Sequence, residues 1–136
     1  MPSPSRPGAG MARCAAYAAL ALLVAAPTGA EAMTVTQFLA KTRVLKSRGL
    51  LAMASPDVRL LRDEVNAVGT AYRADILAAR KAGRTPHSCP PAKGSPDAMT
   101  PTQFIAEVEK IPPAQRGISM KTAFYRIMKR RYPCTG

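Results

Sequence analysis

The sequence predicts an all-α fold: a small bundle of about four helices with one disulfide. Three observations predict it. Apolar residues recur at three- and four-residue spacings in four separate segments, and each segment opens on a helix-capping residue. No stretch alternates apolar and polar residues long enough to argue a strand.

The chain opens on a segment that stands apart from the bundle. Residues 1–10 (MPSPSRPGAG) are rich in Pro, Ser and Gly; Met11-Ala12-Arg13 then lead into an apolar run from Cys14 to Ala26, and small residues close at Ala30-Glu31-Ala32. A basic start, a short apolar stretch and an Ala-x-Ala end have the form of a secretory signal peptide. Residues 1–32 are therefore expected to direct export, with cleavage after Ala32 and Met11 an alternative start. The apolar run of 13 residues is too short to span a bilayer, which takes roughly 18, so no stable membrane span is expected. Cys14 opens the run rather than closing it, which argues against a lipoprotein acylation site. The expected mature chain, residues 33–136, is one small domain.

Thr34 is a good N-cap and Gln37 stands three residues later, a capping box; Phe38, Leu39, Thr42 and Leu45 then recur at helical spacing up to Gly49. Residues 50–54 (LLAMA) read as a linker. Ser55-Pro56-Asp57 supply an N-cap, a proline at the first helical position and an acid at the positive end of the helix dipole. The long second helix carries Val58, Leu61, Val65, Val68, Tyr72 and Ile76 on one stripe, reaches about Lys81, and has Gly83 as its C-cap. Residues 84–98 hold four prolines and a glycine and form a rigid loop. Thr100, Pro101 and Gln103 start a third helix with Phe104, Ile105, Val108 and Ile111 as its stripe, stopped by Pro112-Pro113. Ser119 caps a fourth, with Met120, Phe124, Ile127 and Met128 facing inward, ending at Tyr132-Pro133-Cys134. The octets MTVTQFLA (33–40) and MTPTQFIA (99–106) are nearly the same. Capping preferences select such residues by themselves, so the repeat reads as two copies of a good helix start, each followed by a Phe-(Leu/Ile) anchor.

Without the leader, Cys89 and Cys134 remain as an even pair in an exported chain, and read as one disulfide. His87 lies two residues before Cys89, yet a Cys–His nucleophile needs a persistent thiolate that Cys134 would oxidise. His87, Cys89 and Cys134 match no familiar zinc spacing. Asp63 and Glu64, like Glu107 and Glu109, point apart on a helix, and neither a nucleophile elbow nor a phosphate-cradling glycine loop is present. No enzyme activity, cofactor or metal is expected.

Charge is the remaining functional signal. Residues 33–136 carry 18 Lys and Arg against 7 Asp and Glu, a net charge of +11. Clusters sit at Arg43/Lys46/Arg48, Arg80/Lys81/Arg84 and Lys129/Arg130/Arg131, partly complementing helix C-termini. The excess speaks to partners rather than fold. Export and few aromatics for stacking argue against nucleic acid, leaving an acidic protein, anionic lipid or cell-wall polymer. Arg84, His87, Lys129 and Arg130 are the candidate partner contacts.

The segments SCPP (88–91), IPPAQR (111–116), MKTAFYRIMKRRYPC (120–134) and MTVTQFLAK (33–41) together resemble the Rap/Tai-type immunity proteins associated with type VI secretion. The resemblance runs over residues 33–134, and its most specific part couples Ser-Cys-Pro-Pro with the terminal Tyr-Pro-Cys. It implies a periplasmic, helical, non-enzymatic protein, often a homodimer, that blocks a cell-wall amidase toxin, with Cys89 and Cys134 as the structural disulfide. No motif marks toxin contacts, and the strong positive charge departs from the pattern. The alternative is a cationic envelope protein that binds anionic lipid or cell-wall polymer and has no cognate toxin.

Overall fold

The computed structural model describes residues 32–135, and the predicted all-α fold is the one it shows: four helices, two short 3-10 turns and, among the described residues, no strand. Residues 1–31 of the predicted leader, with the alternative start at Met11, lie outside the described residues. The helices are α1 (Val35–Arg48), α2 (Pro56–Lys81), α3 (Pro101–Glu109) and α4 (Met120–Arg131).

Each helix begins where its capping chemistry sits. Gln37 donates its backbone N–H to Thr34 Oγ1 while its side-chain Oε1 accepts from the Thr34 N–H at 2.9 Å, and Thr100 and Gln103 make the same reciprocal pair. Ser55 and Ser119 accept from the N–H groups of Asp57 and Thr122. Each cap satisfies donors that the first turn leaves open and is worth about 1 kcal/mol. The cap of α2 is Ala82, with Gly83 one residue beyond it at φ +66°. The N–H groups of Gly83 and Arg84 donate back to the carbonyls of Arg80 and Ala79, a closure that needs a left-handed residue there.

The repeated octets meet in the core. Phe38 and Phe104, each one residue past its capping box, stack edge to face with ring centroids 6.3 Å apart, and Phe124 of α4 lies 5.3 Å from Phe104. The starts of α1 and α4 are tied by the Thr34–Ser119 bridge: Val35 N–H donates to Ile118 O at 3.0 Å, and Met120 N–H to Met33 O at 2.8 Å. Arg116 donates from Nε to Ile111 O at 2.7 Å and from Nη2 to Glu109 O at 2.9 Å, closing the end of α3. The main core is built on Val35, Phe38, Phe104, Val108, Met120 and Ile127; a smaller cluster joins Tyr72 and Ile76 of α2 to Met128 of α4.

The linker read at residues 50–54 has regular structure: Gly49–Ala54 winds into a 3-10 turn that buries Ala52 and turns Leu50, Leu51 and Met53 outward. The predicted stripes are buried unevenly. Val68, Tyr72 and Ile76 are buried, whereas Leu45, Val58, Leu61, Val65 and Ile105 are only half-buried. The reason is coverage, because α4 packs on the second half of α2 and leaves the first half to α1. On α4 the predicted inward residues Met120, Ile127 and Met128 are buried and Phe124, half-buried, packs against the core; Ala123, fully buried, joins them.

Cys89 and Cys134 are joined, with Cα atoms 5.0 Å apart, and Cys89 N–H donates to Tyr132 O at 2.8 Å. The bond spans a sequence separation of 45, for which chain entropy gives about 4 kcal/mol. Reduction is expected to lower the melting temperature by roughly 15 °C or more, read by circular dichroism with and without reductant. A shift of only a few degrees would show that the helices hold without the link.

Candidate functional site

The disulfide pins a loop of little regular structure against the end of α4, and that docking completes a strongly cationic concavity. Ser88 is fully buried, its hydroxyl hydrogen-bonded to the phenol of Tyr72. Burial raises the pKa of Tyr72, and the bond to Ser88 partly offsets that rise. With Ser88 anchored below, the neighbouring His87 is held at the surface, its ring edge-on to Tyr125 with centroids 5.3 Å apart. Tyr125 is fixed from the other side, because its hydroxyl donates to the carboxylate of Asp75 on α2. Burial first, and then this bond to a carboxylate, pushes its pKa well up, so the phenol stays protonated and oriented.

Around this aromatic floor α4 presents two rows of side chains at four-residue spacing: Lys121, Tyr125 and Lys129, and beside them Thr122, Arg126 and Arg130. Together with His87 they line an open cleft of about 530 Å³. Lys121 Nζ stands 5.6 Å from the Tyr125 ring centroid, a cation–π approach. Among the described residues no carboxylate lines the cleft, and Arg130 is the one lining cation with an ion pair, at 2.7 Å to Glu107, whose other oxygen holds Lys110.

The structure thus brings together three of the four candidate contacts, His87, Lys129 and Arg130. Arg84 is exposed just beyond the end of α2 and does not line the cleft. Lys121, Tyr125 and Arg126 complete the face and were not singled out from the sequence; their spacing from Lys129 and Arg130 is the signal that marks them. Of the two predicted non-pairs of carboxylates, Glu107 and Glu109 point apart: Glu107 turns to α4 and Glu109 to Lys46 of α1, at 2.6 Å. His87 Nδ1 lies 3.4 Å from Ser88 Oγ, but that hydroxyl is fully buried and engaged by Tyr72, so no substrate reaches it. Among the described residues no three His, Cys, Asp or Glu side chains gather as a metal site, and no helix is long and apolar enough to cross a membrane. Comparison of the chain with family models, with curated proteins and with solved structures finds no match.

Removing the Tyr72 hydroxyl leaves the buried Ser88 hydroxyl only the long approach of His87 Nδ1 at 3.4 Å, a loss that costs about 1–3 kcal/mol. Tyr72→Phe is expected to destabilise by that amount. Adding Ser88→Ala should recover part of it, as measured by urea unfolding. The hydrogen bonds from Lys110 and Arg130 hold the Glu107 carboxyl below its ordinary pKa. A carboxyl depressed in the fold contributes stability above its unfolded pKa and loses it as pH falls through the folded value. Each such surface pair is worth ~0.2–1 kcal/mol. Glu107→Gln should therefore lower stability near neutral pH by about that much and flatten the acid side of the stability profile, with both chains converging at low pH.

Proposed function

We propose that this chain is an exported, non-enzymatic binding protein of the immunity type, which neutralises a cell-wall amidase toxin in the periplasm by covering it. The observation that carries the binding face is α4: cations projecting around an oriented Tyr125 and His87 in a cleft without a carboxylate. Arg and Tyr are the side chains that most often dominate the energy of protein contacts. A face already rigid on a disulfide-held scaffold loses little conformational freedom when it is covered. Support for the toxin class comes from the resemblance of residues 88–91, 111–116 and 120–134 to Rap/Tai-type immunity proteins. The positive face fits an acidic surface around the toxin's active site, and complementarity of that kind chiefly accelerates encounter.

The same face favours one other reading, a cationic envelope protein held on anionic lipid or polymer. One experiment separates the two. The purified mature chain is titrated into an amidase encoded beside its gene, following hydrolysis of peptidoglycan peptides, and is sedimented in parallel with anionic vesicles. The immunity reading expects inhibition at stoichiometric ratio. It also expects an association rate that falls with salt and drops about tenfold or more in Arg126→Glu/Lys129→Glu, whose melting temperature stays unchanged. Full toxin activity at excess protein, with salt-sensitive vesicle binding, replaces it by the envelope reading.

A further inference from the structure

A second surface, which shares no lining residue with the α4 cleft, carries an inference of its own. Five positions whose periodicity assigns them to the core, Leu45, Val58, Leu61, Val65 and Ile105, are half-buried, and all five line one trough of about 640 Å³ between α1, α2 and α3. At its mouth stands the 3-10 turn Gly49–Ala54, which has no polar side chain; Leu50, Leu51 and Met53 are 90%, 86% and 75% exposed. Single exposed apolar residues are ordinary, but three on one turn beside an apolar trough mark an interaction surface.

Charge decides what covers it. The charged residues lining the trough are Lys46 and Arg62, both cations, and Arg59 continues the α2 rim three residues before Arg62. Lys46 is paired with Glu109, while Arg59 and Arg62 make no ion pair among the described residues. Of the acids nearby, Asp57 is held by Lys41 at 2.7 Å, and neither Asp63 nor Glu64 of α2 lines the trough. A second copy would bring the same cationic rim against itself. An acidic partner would neutralise it.

We propose that the trough receives an amphipathic α-helix of another protein, its apolar face seated on Leu45, Leu61 and Ile105 under Met53, and its acidic flank along Arg59 and Arg62. A helix suits the site because the surface offers an apolar groove and no strand edge to extend. The site does not rest on the immunity reading, since it uses none of the α4 residues.

The test uses the mature chain at ~0.15 M salt, where loose attraction between charges is screened. The probe is a synthetic peptide about 16 residues long, with Leu at i, i+3, i+4 and i+7 and Glu, Gln and Ala elsewhere. Amide shifts are expected at residues 45–66 and 101–105. The L50S/L51S/M53S variant, with its melting temperature unchanged because those side chains touch little, should bind at least about tenfold more weakly. A peptide with Lys in place of Glu should not bind, and R59E/R62E should reverse the preference between the two peptides. Shifts confined to residues 121–130, or equal affinity for both peptides, would overturn the proposal. So would a wild-type dimer that L50S/L51S/M53S converts to monomer, since a second copy would then fill the trough.

Discussion

The Cys89–Cys134 link is the constraint from which the C-terminal half of the molecule takes its shape. Behind it lies a loop with Pro86, Pro90, Pro91 and Pro96, which can neither join a helix nor supply much apolar surface of its own. Noncovalent burial on that side amounts to Tyr72, Ile76 and Met128, a cluster far smaller than the one around Val35 and Met120. A bond that restricts the unfolded chain supplies what so small a cluster cannot. Its functional consequence is geometric. Tethering the loop lets Ser88 reach Tyr72, which holds His87 over Tyr125 and gives the cationic face a floor rather than a fringe of mobile side chains.

What could be read from the sequence was local chemistry. Thr34 with Gln37, Ser55 with Pro56, Thr100 with Pro101 and Gln103, and Ser119 each complete their function within three residues, so neighbours in sequence are sufficient evidence. The twin octets follow the same logic, and they pack against each other because each box delivers a buried phenylalanine immediately after its glutamine. The pairing of Cys89 with Cys134 was likewise legible once the predicted leader was set aside, being a matter of counting.

What could not be read was coverage. Periodicity says which face of a helix is apolar, not which neighbour will lie on it, and the half-buried Leu45, Val58, Leu61, Val65 and Ile105 show the gap between the two. The turn Gly49–Ala54 was illegible for another reason. Five apolar residues between two helices read only as a linker, and nothing in their order tells which three will be turned outward. The α4 cleft lay between these cases: Lys129 and Arg130 stand out as a charge cluster, while Lys121, Tyr125 and Arg126 matter because His87 arrives beside them from 34 to 39 positions earlier.

The distribution of acids ties the two surfaces together. Asp57, Glu107 and Glu109 are spent on Lys41, Lys46, Lys110 and Arg130, and Asp75 on the hydroxyl of Tyr125. These contacts stitch one helix to the next: α1 to α2, α1 to α3, α3 to α4 and α2 to α4. Because four of the seven carboxylates in residues 33–136 serve as internal fasteners, most of the cations are left facing solvent, and they gather where helices present open faces. Net charge in this protein is therefore a directional property. A partner approaching α4 or the rim of α2 meets uncompensated positive charge, whereas the seams between helices are already balanced. Substituting a seam carboxylate would loosen the bundle; substituting an outward cation changes only what the bundle attracts.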